Sequence, residues 1–414
     1  MEFNESLKSS SEKVMDNNFL TLTMETTSKY EDSDILNGFH IENSSNLTEA
    51  HYCQNEYMNI SYMNVSCDSL IEYSVPLYGY MMPFLLIITV TANTLIILVL
   101  SKRNMSTPTN FVLKYMALCD MLTALFPAPG LFYMFTLGNH YKPLAPVQYC
   151  IIYSLFNEAV PAMFHTASIW LTLALAVQRY IFVCHAPMAR TWCTMQRVKR
   201  CTFFILLAAF LHQVPRIFDT NTIGEKILWS NTTVEVCRME TASWVIDFGV
   251  DTYYISFFMF RIFFVHLIPC ALLVTLNVLL FRAMKKAQDR RKKLLHDRNK
   301  DCSKTRDANC TTLMLIVVVT VFLIVEIPIA VITSLHVISS TIYVILDYNI
   351  ANLFITFMNF FLVLSYPINF AIYCGMSRQF RVNFKEIFVK NSGPPGKKYS
   401  LVNGPRTCTN ETVL

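Results

Sequence analysis

The stretch VFLIVEIPIAVI, residues 321–332, contains one ionisable side chain among eleven apolar ones, the carboxyl group of Glu326. The nearest acidic or basic residues along the chain are Asp307 and Asp347, so this carboxyl lies near the middle of a long apolar run. If the run crosses a membrane, an ionised group at its centre costs roughly 3 kcal/mol or more. Such groups mark ligand sites, ion or proton paths, or charge pairs inside a helix bundle.

Three further ionisable residues lie in neighbouring apolar runs. Arg261 and Glu326 each lie ten residues inside the polar residue that marks the outer end of their run, about 15 Å deep at 1.5 Å per residue. Opposite charge and similar depth favour an Arg261–Glu326 pair. Glu158 and His165 are seven residues apart, so they lie on nearly one helical face. We therefore expect a polar floor under a ligand pocket, formed by Glu158, His165, Arg261 and Glu326.

Two alternatives compete with direct ligand contact. Glu326 could be protonated and act as a neutral hydrogen-bond donor in an apolar setting. The Arg261–Glu326 pair could instead be architectural, contributing to the specificity of the fold more than to its stability.

The elements that must position these groups are membrane helices. The 414 residues are 53% hydrophobic and 15% charged, whereas a soluble domain carries about 25% charged residues. Seven long apolar runs are each able to span about 30 Å of hydrocarbon. They lie near residues 74–101, 109–135, 150–183, 201–217, 252–281, 311–338 and 345–374, and we number them spans 1 to 7.

The distribution of basic residues orients the spans. Lys and Arg are concentrated in the links after spans 1, 3 and 5 and in the C-terminal tail, with eleven against three Asp in residues 282–306. These links are expected in the cytoplasm, which places the N-terminus outside a multi-pass plasma-membrane protein. Residues 1–74, with 13 Asp/Glu and 3 Lys, are predicted to form a disordered, glycosylated tail. Outer glycosylation sequons occur at Asn4, Asn43, Asn46, Asn59, Asn64 and Asn231.

Four cysteines fall on the outer side, where disulfides persist. A bridge between Cys150, at the start of span 3, and Cys237, in the long loop after span 4, would hold that loop over the bundle. Cys53 and Cys67 could close a small loop in the tail. Free cysteines are the alternative for either pair.

Short motifs at the inner ends of the spans narrow the function. Span 3 ends with Gln-Arg-Tyr in LALAVQRYIFVCHAP, span 2 carries the lone acid of ALCD, and span 7 ends SYPINFAIYCGMSRQFR. Over about residues 75–390 the chain resembles the rhodopsin-like G-protein-coupled receptors. The resemblance implies that a site for a heterotrimeric G protein is formed by Gln178, Arg179, Tyr180 and Tyr373. A snorkelling interfacial arginine is the alternative reading of Arg179.

The chain departs from the family pattern in several places. The family has an acid where Gln178 stands, so charge does not hold Arg179 in the resting state. The proline of the family's N-P-x-x-Y motif is displaced to Pro367, and Glu326 replaces the tryptophan that precedes Pro328. The 29 residues from Cys150 to Arg179 exceed the usual roughly 25 by about one helical turn.

The resemblance also implies a small sodium pocket around the acid of span 2. Oxygen ligands suit a hard cation, and a dry hydrogen-bonded cluster is the alternative. The candidate ligands are Asp120, Ser168, Ser365 and Asn369.

The ligand class is narrowed by two absences. Amine receptors of the family carry an Asp where this chain has Pro161, and opsins carry a Lys where it has Val363. A peptide fits the site better, with Tyr253 and Tyr254 among its expected contacts. The resemblance implies short, C-terminally amidated peptides bearing two tryptophans, the myoinhibitory class, and coupling to Gi/o proteins that lower cyclic AMP.

The inner end of the chain carries two further patterns. Residues 376–390 place apolar side chains at three- and four-residue spacing, which predicts a short amphipathic helix on the membrane surface. In the cytoplasmic tail, 391–414, Thr412 and Leu414 of the ending E-T-V-L match the pattern bound by PDZ domains.

The predicted fold class is an all-α integral membrane protein, with the seven-transmembrane bundle at 75–375. No nucleophile–base constellation or phosphate loop points to an enzyme, and neither a cofactor nor nucleic acid is expected. A seven-span channel or transporter with a path through Asp120, Glu158 and Glu326 is the alternative, as is a chemosensory channel subunit of inverted topology. Neither accounts for Gln-Arg-Tyr.

Overall fold

The computed structural model describes residues 70–229, 232–294, 302–341 and 347–388. Within them, seven helices are long and apolar enough to cross a membrane, which confirms the predicted spans. Spans 1 to 7 are Ile71–Leu100, Pro108–Thr136, Val147–Cys184, Met195–Phe218, Val250–Asp289, Thr312–Ser339 and Asn349–Met376. The predicted sequons, the Cys53–Cys67 pair and the PDZ-type residues Thr412 and Leu414 lie outside the described residues.

Several helices extend beyond the membrane spans or lie between them. The helices of spans 5, 6 and 7 end or begin at Leu294, Cys302–Thr341 and Tyr348. Shorter helical segments are Arg103–Met105, Ala186–Trp192, Ser243–Phe248 and Arg378–Phe388. Wider π-helical turns interrupt four segments, at Val75–Met81, Phe132–Thr136, Leu155–Ala159 and Arg261–Leu267.

Span 3 is the centre of the bundle. It packs against spans 2, 4, 5 and 6, while span 1 packs against spans 2 and 7, and span 6 against spans 5 and 7. The inner half holds the largest cluster of buried apolar side chains, which includes Ile96, Leu113, Leu171 and Leu315. Large apolar side chains such as Phe84 and Ile324 are exposed on the outside of the bundle. Helices that present such faces satisfy their own backbone groups and are suited to lipid.

Local signals in the sequence set where the spans begin. The hydroxyl of Thr107 accepts a hydrogen bond from the Asn110 amide at 3.2 Å, and Pro108 occupies the first helical position. Asp347 caps span 7 in the same way, because its carboxylate accepts from the Asn349 amide at 2.9 Å. These caps satisfy amides that have no partner within a helix.

A β-hairpin covers the outer end of the bundle after span 4. Strands β1, Thr220–Trp229, and β2, Thr232–Thr241, pair antiparallel, and the structure contains the expected disulfide from Cys237 of β2 to Cys150 of span 3. Gly224 lies opposite Cys237, and a Cβ atom there would approach Val147 Cγ2 to 2.9 Å. The disulfide and this glycine therefore hold the hairpin close against span 3.

The helix Arg378–Phe388 lies at the inner end of span 7, within the segment predicted to be amphipathic. Phe380 is buried and its ring lies 5.7 Å from that of Tyr373. Polar contacts join this helix to the link after span 1: Lys102 Nζ lies 3.0 Å from Glu386 Oε2, and Asn104 Nδ2 donates to Asn383 Oδ1 at 2.7 Å. The contact with a membrane surface stays a prediction.

We predict that replacing both Cys150 and Cys237 by Ser lowers the free energy of unfolding by about 2–5 kcal/mol, because the bridge closes a long loop. The measurement is the thermal unfolding midpoint of the purified receptor in detergent. Cys374→Ser, a free and partly exposed cysteine, is the control and should leave the midpoint unchanged. Equal midpoints for the double variant and the wild type would contradict the prediction.

Candidate functional site

Glu326 is fully buried in span 6, and two histidines from other spans face its carboxylate. Its Oε1 atom lies 2.7 Å from Nδ1 of His266 in span 5, which is a hydrogen bond. Its Oε2 atom lies 3.4 Å from Nε2 of His165 in span 3, within ion-pair distance, but this oxygen has no hydrogen-bond partner. The glutamate thus connects three spans, and both of its partners are imidazoles.

The expected pair between Arg261 and Glu326 is not formed, although the structure describes both residues. The prediction placed the outer end of span 6 at His336, but the helix continues to Thr341. Glu326 is therefore more than a turn deeper than expected at 1.5 Å per residue. At that depth span 5 presents His266, five residues further along than Arg261.

A second buried charge cluster lies above the first. Arg216 of span 4 places Nη1 2.8 Å from Oδ2 of Asp219 and Nη2 3.3 Å from Oε2 of Glu158 in span 3. Asp219 is fully buried at the start of the hairpin and also accepts from the Tyr253 hydroxyl at 3.4 Å. Burial raises the pKa of Asp219, and the Arg216 guanidinium opposes that shift by favouring the ionised form.

A cavity of about 190 Å³ separates the two clusters. One wall is polar and comes from spans 3, 4 and 5; the opposite wall is apolar and comes from spans 6 and 7. The polar wall comprises Asn157, Glu158, His165, Gln213, Arg216, Arg261 and His266, and the apolar wall includes Ile329, Ile332, Ile355, Met358 and Leu362.

The polar wall carries hydrogen-bonding atoms without partners. Arg261 forms no ion pair with any residue that the structure describes, and its Nε has no acceptor. Asn157 donates to Tyr153 O at 3.0 Å, while its side-chain oxygen has no donor. A cation and an acceptor are thus available to a molecule that enters the cavity.

Of the six residues predicted to bind ligand, Glu158, His165 and Arg261 line the cavity. Glu326 lies behind the wall and supports His165 and His266. Tyr253 and Tyr254 do not line this cavity; they belong to an aromatic cluster at the outer end of span 5, where their rings lie 5.0 Å apart. Aromatic packing, together with the hydroxyl contact of Tyr253 to Asp219, accounts for their burial.

The predicted G-protein site lies at the inner end of spans 3 and 7. The Gln178 side chain is buried, and neither its nitrogen nor its oxygen has a partner. Arg179 and Tyr373 lie within electrostatic range of each other, and the Tyr373 hydroxyl is also unpartnered. Tyr180 instead packs its ring 5.8 Å from the His185 ring. Gln178 therefore does not hold Arg179 as an acid would.

The structure brings together two of the four predicted sodium ligands. Ser168 Oγ donates to Oδ1 of the buried Asp120 at 2.5 Å. Ser365 Oγ donates to the Leu362 carbonyl of its own helix at 2.7 Å, which leaves its lone pairs available. Asn369 is partly buried and forms no hydrogen bond with this group.

Arg216, Asp219 and His266 were absent from the predicted site. A signal existed for the first two: Arg216 ends an apolar run and Asp219 follows it three residues later, on the same face of a helix. The sequence offered less for His266, because neutral histidines occur commonly in such spans.

Comparison with known proteins gives consistent relatives. Residues 80–391 match the family described as "Serpentine type 7TM GPCR chemoreceptor Srw". The chain is 64% identical over 369 residues to the Sex peptide receptor of Drosophila melanogaster, covering 87% of this chain and 85% of that protein. It is 35% identical over 325 residues to Sex peptide receptor-related protein 2 of Caenorhabditis elegans, covering 76% and 72%. The FMRFamide receptor of Drosophila melanogaster is 26% identical over 226 residues, covering 50% and 37%.

We predict that Arg216→Gln lowers the free energy of unfolding by about 3–5 kcal/mol, because it leaves Glu158 and Asp219 buried without their cation. Thermal unfolding of the purified receptor in detergent measures the loss. Arg238→Gln removes the same charge from exposed pairs with Glu225 and Glu240, and should cost under about 1 kcal/mol. A similar loss for both variants would show that burial does not decide the effect.

Proposed function

Because the chain belongs to the seven-transmembrane G-protein-coupled receptors, we propose that it is activated by amidated peptides that bear two tryptophans. It is a receptor and not an enzyme, since its relatives are receptors. The relatives named for sex peptide and for FMRFamide support a peptide as the ligand. Myoinhibitory peptides are the first candidates, and sex peptide is the second. A channel or transporter is not favoured by these relatives.

The observation that carries the proposal is the cavity with one polar and one apolar wall. Its volume of about 190 Å³ is below the roughly 300–1,000 Å³ of sites for drug-sized ligands. It has room for one large side chain, while the remainder of a peptide would lie above it. An indole fits the two walls, because it has a broad apolar body and a single N–H donor.

The partners of such an indole are present in the cavity. The apolar wall of spans 6 and 7 would contact the ring, and the unpartnered oxygen of Asn157 would accept its N–H. The unpaired guanidinium of Arg261 would face the ring as a cation–π partner, a contact worth about 2 kcal/mol when desolvated. Glu158 is engaged by Arg216 and fixes the position of the polar wall.

The proposed orientation has the N-terminus and the cavity outside the cell. The disulfide between Cys150 and Cys237 supports it, because disulfides persist in oxidising compartments and this one lies at the hairpin end of the bundle. The plasma membrane is the expected location. Coupling to Gi/o proteins through Arg179, and binding of a PDZ protein to the C-terminal residues, are further parts of the proposal.

A sodium ion is proposed beside Asp120. The Ser168 contact and the burial of the carboxylate fit a hard cation, and Ser365 and Asn369 would complete the oxygen ligands. When bound, the ion would neutralise the Asp120 carboxylate. No other cofactor is proposed.

We predict that cells expressing the chain lower their cyclic AMP in response to amidated two-tryptophan peptides at nanomolar concentration. Peptides with both tryptophans replaced by alanine are the control and should be inactive, and pertussis toxin should abolish the response. Silence in cyclic AMP, calcium and other coupling assays, with surface expression confirmed, would rule out the proposed ligand.

We predict that Arg261→Gln raises the half-maximal concentration of the active peptide about tenfold, which corresponds to about 1.4 kcal/mol. The reason is that the variant removes the unpaired cation from the cavity wall while leaving Glu158 and Arg216 paired. Dose–response curves in cells, normalised to surface expression, give the value. Arg238→Gln makes the same change on the exposed hairpin and should leave potency unchanged; equal potency for all three receptors would exclude a ligand contact at Arg261.

A further inference from the structure

Glu326 lacks the partner that a buried carboxylate ordinarily has. It is 0% exposed, and in the described part of the chain no Lys or Arg nitrogen lies within ion-pair distance of it. One carboxylate oxygen accepts a hydrogen bond from His266, and the other has none. An ionised carboxylate with an unsatisfied oxygen in an apolar interior is costly unless a positive charge or a proton accompanies it.

The two imidazoles can supply that charge. Nε2 of His165 lies 3.4 Å from the unsatisfied oxygen, and Nδ1 of the same ring is buried without a partner. An imidazole titrates near pH 6.5 when unperturbed, so the cluster can gain or lose a charge close to physiological pH. No group of three or more His, Cys, Asp or Glu side chains in the described residues is arranged to hold a metal ion.

We propose that Glu326, His165 and His266 form a binding site for one exchangeable proton that ties spans 3, 5 and 6 together. The bound proton makes an imidazolium that pairs with the carboxylate, and its release leaves two neutral rings beside an unneutralised anion. No covalent bond changes, and the proton passes between the imidazole nitrogen and water.

The cavity gives this proton a route to the outside. Both His165 and His266 line it, whereas Glu326 lies behind them. The pH of the outer medium would therefore set the charge of the polar wall. Through this wall the proposal deepens the proposed receptor function, although the site itself does not depend on which peptide binds.

Other ionisable groups face the cluster from the elements packed around it. They are Asp120 of span 2, Glu158 of span 3, His212 and Arg216 of span 4, Arg261 and Cys270 of span 5, and Tyr366 of span 7. Glu158 and Arg216 already neutralise each other in part. Arg261 opposes a second positive charge on the cavity wall, which favours the binding of one proton and not two.

The test compares thermal unfolding of the purified, full-length receptor in detergent, without peptide, at about pH 6 and about pH 8. The carboxylate of Glu326 strengthens proton binding by the imidazoles, so removing it costs more when they are protonated. We expect the midpoint of the wild type to exceed that of Glu326→Gln by a margin about 3 °C larger at the lower pH. The same margin at both pH values, or a larger one at the higher pH, would overturn the proposal.

Glu158→Gln is the matched control, because it removes a buried carboxylate whose partner is an arginine that stays charged at both pH values. Its margin to the wild type should not change with pH. If Glu326→Gln does not fold, His165→Asn and His266→Asn retain the carboxylate and each removes one proton acceptor. Full retention of the pH dependence in both histidine variants would also overturn the proposal.

Signalling in cells provides a second readout. Between the same two external pH values, the half-maximal concentration of an activating peptide should change at least about threefold for the wild type and less for Glu326→Gln. Because the unfolding experiment uses no peptide, failure of the proposed ligand leaves it interpretable. An unchanged half-maximal concentration in the wild type would overturn the link to signalling even if the unfolding margins behave as expected.

Discussion

A charge buried among apolar side chains requires a neutralising neighbour, and this requirement organises the outer half of the bundle. An apolar helix provides few such neighbours in its own sequence, so the partners come from other helices. Arg216 joins span 4 to Glu158 of span 3 and to Asp219 at the start of the hairpin. Glu326 joins span 6 to histidines of spans 3 and 5. The cavity is the space between these two sets of contacts, and its polar wall is made of their members.

Two π-helical turns help to bring these side chains to the wall. Leu155–Ala159 contains Glu158, and Arg261–Leu267 contains both Arg261 and His266. A π-helical turn inserts one extra residue, so the face presented by the helix changes across it. The turn in span 3 also takes up part of the extra length between Cys150 and Arg179. The departure from the usual spacing therefore has a local structural consequence beside the ligand site.

Much of this architecture could be predicted from the sequence, because hydropathy and basic residues constrain the spans strongly. The pairing of individual charges could not, since it depends on helix rotation and on depth to within one turn. The Arg261–Glu326 pair shows this: an error of five residues at the outer end of span 6 exchanged Arg261 for His266 as the partner. Glu158, His165 and Arg261 were nevertheless placed in the cavity wall, because interior-facing polar groups in a bundle converge on the same space.

The position of Glu326 relative to Pro328 gives its contacts a particular effect on span 6. Proline removes the hydrogen bond to the carbonyl four residues earlier, so the helix is most easily bent in the turn that contains Glu326. Further in, Asn277 of span 5 donates to Thr320 of span 6 at 2.9 Å. At the inner end, the Gln178 amide makes no hydrogen bond that would hold Arg179. The attachment of span 6 to its neighbours thus depends on polar contacts around its weakest turn, where a change in the charge of the histidine–glutamate cluster acts directly on the helix.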